Sequence, residues 1–283
     1  MSRSSDGPYL SARYRLLVTD VDGTLVPENK IVPPGVVGAV RRAQAHGIKV
    51  CLATGRPWQA AQPFVDVTGA DPPAIIYNGG LVYDFRADRV LSRTALPPSL
   101  ARAVLPVLRR FPQTSPLLFL HGQVYAERIT PQTELYAHRD RPLRIQETPS
   151  FQALLDGSPD EGPLKMLVVG DHADLVRMDE ALGALPMPVN RVFSQKDYLE
   201  ILPLGVNKGH ALAVLAEALG IPIAETVAVG DAHNDLAMIQ AAGLGVAVET
   251  SPPDIVAAAA WTCPPPEREG LRVVIDRLLD GAG

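Results

Sequence analysis

Short apolar runs that end on polar, chemistry-bearing residues constrain this chain more than any other feature. They cover 16–19, 49–53, 74–77, 226–229 and 244–248, and most stop on or beside Asp, Thr, Asn or Gly. Each is aliphatic or β-branched and too short for a buried helix, so each predicts a buried strand. Helical patterns lie between them. One spans 34–45, with Val37, Val40, Ala43 and Ala45, and stops at Gly47; another spans 209–219, with Leu212, Leu215 and Leu219, and stops at Gly220 ahead of Pro222. Apolar strands alternating with helices imply an α/β fold, a Rossmann-like parallel sheet covered on both faces. Ligands of such sheets bind at the carboxyl ends of the strands.

The middle of the chain has another rhythm. It predicts a hairpin over 80–96, a helix over 97–110, strand–turn–strand over 117–128 around His121-Gly122, a strand over 165–169 and a helix over 173–182. Residues 192–201 resume extended character, and 139–163, rich in Pro, Asp and Gly, reads as loop with one short helix. The expectation is an inserted α+β cap at 84–192 that splits a core of 14–83 and 193–283, after a loose tail at 1–13.

Composition narrows the function classes. Of 283 residues, 47% are hydrophobic and 20% charged, as in ordinary globular proteins. No apolar run approaches the roughly 20 residues needed to span a membrane. The polar start lacks the apolar core of a secretory leader, so the cytoplasm is the expected compartment. A net charge of -5 argues against general nucleic-acid binding. The only cysteines, Cys51 and Cys263, suggest neither a disulfide framework nor a thiolate metal site.

The first strand runs into Asp20-Val21-Asp22-Gly23-Thr24. In an extended segment residues i and i+2 point the same way, so two carboxylates share a face. Gly23 permits a sharp turn close to a ligand. Read alone, Asp-Gly is equally a common turn signal. A later strand runs into Gly230-Asp231-Ala232-His233-Asn234-Asp235, where Asn234 or Asp235 is alternatively a helix cap. Carboxylates gathered in one cleft repel one another and take up protons unless a cation sits among them. With oxygen donors only, Mg2+ is favoured over zinc. His233 reads as a surface residue or substrate contact rather than a ligand.

Two other pieces suit an anionic substrate. Thr54-Gly55-Arg56 follows the second strand with a hydroxyl and free amides, which serve phosphate oxygens, although Thr54 is alternatively a helix cap. Lys208 opens a helix after Asn207, where its charge opposes the helix dipole. A bound phosphoryl group gives a lysine reason to stand there; plain solvent exposure is the alternative.

Taken together, Asp-x-Asp-Gly-Thr at 20–24, Thr54, Lys208 and Gly-Asp-x-x-Asn-Asp at 230–235 resemble, in order and spacing, the four motifs of the haloacid dehalogenase superfamily. Ala53-Thr-Gly-Arg-Pro57, Tyr77-Asn78-Gly79-Gly80 and Leu199-Glu200-Ile201 resemble its Cof-type branch, which carries its cap between the second and third motifs. The resemblance implies a Mg2+-dependent phosphatase of small phosphorylated metabolites. It makes Asp20 the nucleophile that becomes an aspartyl phosphate, and Asp22 the acid and then the base. The implied metal ligands are Asp20, Asp22 through its carbonyl, and Asp231, with Asp235 in or beside the set, orienting a metal-bound water or Lys208. Thr54 and Lys208 hold phosphoryl oxygens, helped by Gly23, Thr24 and Gly55, with Arg56, Asn78 and Asn234 at the rim. The cap is then a lid, with His121, Tyr125, Arg128, Arg139 and Arg141 as candidate contacts. A phosphomutase, or a non-catalytic sugar-phosphate sensor on the same scaffold, are the alternatives. Monomer and homodimer both remain open.

Overall fold

The computed structural model describes residues 13–139 and 142–280. Residues 1–12 of the expected tail and the candidate contact Arg141 lie outside the described residues.

Two sheets organise the described residues. The first is eight-stranded and contains β1 (Leu16–Asp20), β2 (Lys49–Ala53), β3 (Ala74–Ile76), β4 (Leu81–Asp84), β5 (Arg89–Arg93), β12 (Thr226–Gly230), β13 (Leu244–Val248) and β14 (Trp261–Cys263). Its order is β14-β13-β12-β1-β2-β3-β4-β5. Strands β14 through β3 pair in parallel, and β4 and β5 close the edge as an antiparallel hairpin. Alternation along β1 explains its burial on both sides. Leu17 packs with Val36, Val40, Val274 and Ile275 of helices α1 (Pro34–Ala45) and α10 (Gly270–Asp280). Leu16 and Val18 face the other way, against Leu212 and Leu215 of α7 (Lys208–Ala218) and Met238 of α8 (Leu236–Ala241). The point at which the strand order reverses lies between β1 and β12, so the loops after these strands open onto one crevice.

The second sheet is six-stranded, in the order β10-β11-β9-β6-β7-β8. Its strands are β6 (Ser115–Leu120), β7 (Gln123–Ala126), β8 (Ile145–Glu147), β9 (Lys165–Val169), β10 (Asn190–Gln195) and β11 (Tyr198–Leu202). One face packs on α3 (Pro98–Leu108), α5 (Phe151–Asp156) and α6 (His172–Gly183) through Val104, Leu108, Leu155, Leu175 and Met178. The other face turns Leu117, Phe119, Leu167 and Tyr198 toward Tyr136 of α4 (Pro131–Arg139) and toward Ala61, Ile76 and Tyr77 of the first unit.

This pairing corrects the limits of 84–192 read from sequence. Strands β4 and β5 extend the first sheet, and β10 and β11 belong wholly to the second. The physical reason is antiparallel pairing of β11 with β9, which draws the apolar run at 198–202 away from the parallel core. We therefore place the inserted unit between the ends of β5 and β11. Strand β8 and helix α4 fall in and beside a stretch that reads as loop. Cys51 and Cys263 are free and buried, and burial raises both thiols, Cys263 to about 12. Among the described residues no helix is long and apolar enough to cross a membrane.

Candidate active site

The tips of β1, β2 and β12 and the inner face of the second sheet enclose a cavity of about 240 Å³. Asp20, Asp22, Gly23, Thr54, Gly55, Arg56, Asp231 and Asn234 line it from the first unit, with Lys30. Thr24, Asn78, Lys208 and Asp235 stand behind this wall, each buried.

Asp20 ends β1, and its Oδ1 accepts a hydrogen bond from Lys208 Nζ at 2.5 Å. The same ammonium donates to Asp235 Oδ1 at 2.6 Å, and Lys208 has no exposed surface. Two carboxylates therefore account for a lysine at the start of α7, where the helix dipole is unfavourable, and the solvent-exposed alternative does not hold. Asn207 caps that helix by accepting the His210 N–H at 2.8 Å. Asp235 uses its other oxygen to accept the amides of Asp231 and Ala232, each at 3.1 Å. It thus caps the loop behind it rather than the helix ahead. Asp231 Oδ1 accepts the Thr24 hydroxyl at 2.7 Å.

Ligand oxygens of Asp20, Asp231 and Asp235 lie within 4.8 Å of one another, close enough to hold one metal ion. Their electrostatics fit a cation. Burial, then the charge of Asp235, pushes the Asp20 carboxyl well above its ordinary value, and Lys208 only partly offsets this. Burial and Asp235 raise Asp231 to about 7, against the Thr24 hydrogen bond and Lys208. Lys208 itself is desolvated, yet Asp20 and Asp235 outweigh that and hold its ammonium above the usual lysine range. Gly23 adopts φ +87°, and a Cβ there would come within 2.5 Å of Asp231 Oδ2, so the turn has room only for glycine.

The Asp22 side chain stands apart from this group. Arg56 donates to both its oxygens, from Nε and Nη2, at 2.7 Å each, and Lys30 Nζ donates to Oδ1 at 2.5 Å. Burial pushes Asp22 up, but the Arg56 hydrogen bonds and the charges of Arg56 and Lys30 prevail and hold it at about 2.

Thr54 does not cap the helix α2 (Trp58–Thr68), which starts beyond Pro57. Its hydroxyl oxygen accepts the Arg56 N–H at 3.1 Å. Asn78, at φ +56°, donates its N–H to Thr54 O at 3.0 Å and accepts from Asn234 Nδ2 at 3.1 Å. Non-glycine residues in the left-handed region cluster at functional sites, and Tyr77 at φ +53° adjoins it.

Of the expected cap contacts among the described residues, only Arg139 borders this region. It pairs with Asp197 at 3.2 Å and lines an adjoining cleft shared with Lys30 and Arg56. His121 bonds Ser158 and Glu161 on the surface, Tyr125 packs in the second unit's core, and Arg128 lines a different hollow. His233 is exposed and faces Asp254 at 3.1 Å. The second unit instead brings Tyr136, Lys165, Ser194, Gln195, Tyr198 and Glu200 to the cavity. A sequence signal exists for two of them: Lys165 and Glu200 are the charged residues within the apolar strands β9 and β11.

A family model described as haloacid dehalogenase-like hydrolase matches residues 17–275. An HMP-PP phosphatase of Serratia proteamaculans (strain 568) is 33% identical over 243 residues, which cover 86% of each chain. A solved haloacid dehalogenase-like hydrolase from Bacteroides thetaiotaomicron is 28% identical with a TM-score of 0.82, covering 94% of this chain and 99% of that one. The solved protein TM0651 from Thermotoga maritima is 26% identical with a TM-score of 0.80, covering 93% and 97%.

Proposed function

The chain belongs to the haloacid dehalogenase-like hydrolase family, and on that footing we propose that it hydrolyses phosphate monoesters of small metabolites through a phosphorylated Asp20. The observation that carries this reading is the buried Lys208 bridging Asp20 and Asp235 beside Asp231 and Thr54. The similarity to an HMP-PP phosphatase supports a phosphorylated small molecule as substrate.

Asp20 attacks phosphorus, and the ester oxygen leaves as the P–O bond breaks. Water then cleaves the aspartyl phosphate and restores the carboxylate. Covalent catalysis divides one difficult displacement into two easier ones. Lys208 holds Asp20 in place and partly offsets the burial that raises its carboxyl. Thr54 supplies a hydroxyl donor to a phosphoryl oxygen, and the turn at Gly23 lets backbone amides come close. Positioning and charge neutralisation are most of what phosphoryl transfer requires.

Asp22 serves as proton carrier, first to the leaving oxygen and then from the attacking water. Held by Arg56 and Lys30 it is a carboxylate, which suits the second step; donating in the first requires those contacts to loosen as substrate enters. Asp20, Asp231 and the Asp22 carbonyl would hold Mg2+, with Asp235 fixing the loop behind them. Bound there, Mg2+ neutralises the gathered carboxylates and the phosphoryl oxygens.

The experiment is a panel of phosphate monoesters with released phosphate as readout, run for the parent chain and Asp20→Asn without any activating bisphosphate. Release by the parent alone supports the reading. A parent inert on every ester contradicts it.

A further inference from the structure

A buried ion pair on the far wall of the cavity takes no part in the chemistry above. Lys165 opens β9 and Glu200 is central in β11, only 1% and 3% exposed. Lys165 Nζ and Glu200 Oε2 are 2.9 Å apart, and the ammonium lies 4.8 Å from the Phe119 ring centre. Strand alternation explains their direction. Met166, Val168, Leu199 and Ile201 enter the second unit's own core, so Lys165 and Glu200 face the first unit.

Their remaining bonds cross to the catalytic loops. Lys165 Nζ donates to Gly55 O at 2.8 Å. Glu200 Oε2 also accepts Asn78 Nδ2 at 2.9 Å. The peptide unit between Gly55 and Arg56 is thereby held at both ends. Its carbonyl receives the Lys165 ammonium, and its N–H, carried by Arg56, donates to Thr54 Oγ1 at 3.1 Å. A cation on the carbonyl polarises the amide and strengthens that donor. A hydroxyl carries one proton and two lone pairs. With Oγ1 accepting from the amide behind it, the Thr54 proton is directed elsewhere, and Thr54 lines the cavity.

We propose that Lys165 and Glu200 are positioning residues for phosphoryl recognition: from the inserted unit they orient the Thr54 hydroxyl as a donor into the cavity. The phosphoryl site is then complete only when the second unit is seated on the first. The proposal rests on the reading of Thr54 as a phosphoryl-oxygen donor.

The test measures kcat, KM and inhibition by inorganic phosphate for Lys165→Met, Lys165→Arg and Glu200→Gln, each with and without Thr54→Val. Lys165→Met is expected to lower kcat and weaken phosphate inhibition by about 10-fold each, as loss of one ordering hydrogen bond predicts. Glu200→Gln acts in the same direction, and Lys165→Arg recovers part of the loss. In the Thr54→Val background neither Lys165→Met nor Glu200→Gln changes phosphate inhibition further, because the hydroxyl they orient is gone. A buried pair that only holds the units together would lower the unfolding midpoint and leave both constants of the folded protein at parent values, which overturns the proposal. So would effects that multiply in full with Thr54→Val. If Lys165→Met does not fold, Glu200→Gln and Lys165→Arg carry the same comparison. An inert parent chain overturns the functional reading and this proposal together; an active parent with unaffected variants overturns only the proposal.

Discussion

Lys208 Nζ sits 2.5 Å from Asp20 Oδ1 with no exposed surface, and it reaches that carboxylate from a helix start that by itself disfavours a cation. The pair spans the two outer parts of the chain and joins the tip of β1 to the first turn of α7.

Removing the ammonium leaves Asp20 and Asp235 buried without compensation. Breaking a buried ion pair by deleting one partner typically costs about 3–5 kcal/mol. Lys208→Met is therefore expected to lower stability by that order and to lose turnover. Denaturant unfolding and phosphate release check the two effects, and unchanged stability would contradict the buried triad.

Asp22 separates proton transfer from metal binding, because the contact expected with Mg2+ uses its backbone. General acid–base groups contribute about 10²–10⁴-fold in rate. Asp22→Asn should lose that much on a sugar phosphate and less in the first step on p-nitrophenyl phosphate, whose leaving group needs little protonation. Parent rates on both would remove Asp22 from the proton-transfer role.

The three gathered carboxylates lead us to expect metal dependence. Chelation should abolish activity, and Mg2+ should restore it better than Ca2+, which prefers more ligands and longer bonds. Full activity after exhaustive chelation is the contrary result.

The raised Asp231 carboxyl gives a pH signature in metal-free protein. With its folded value at about 7, it keeps a proton that the unfolded chain has already lost, so folded protein binds more protons between the ordinary carboxylate range and neutrality. Stability therefore falls as pH rises across that window. The Tm of the parent should drop from about pH 4 to about pH 7. In Asp231→Asn that fall should shrink, and Mg2+ should raise the parent's Tm at neutral pH. Parallel Tm curves for parent and variant would contradict this.

Much of the site near β1, β2 and β12 is legible in the sequence because strand ends place it. Asp20, Thr54 and Asp231 each stand just past an apolar run, and one parallel sheet brings those ends together. The Asp22–Arg56–Lys30 contact is harder to read, since it depends on side-chain reach across two loops. Lys165 and Glu200 are harder still. Each interrupts an apolar strand, but their meeting depends on β9 pairing with β11, separated by helix α6 and β10, and on which face of that sheet covers the cavity. The unit limits move for the same reason, because long-range antiparallel pairing leaves no local mark.

Reduction of acid-quenched enzyme with borohydride tests the phospho-aspartate most directly, since it converts an aspartyl phosphate to homoserine that peptide mass spectrometry can locate. Protein quenched during turnover should carry homoserine at position 20, with more of it in Asp22→Asn, where dephosphorylation lacks its base, and none in Asp20→Asn. Modification at another carboxylate, or the same modification in Asp20→Asn, would contradict the mechanism.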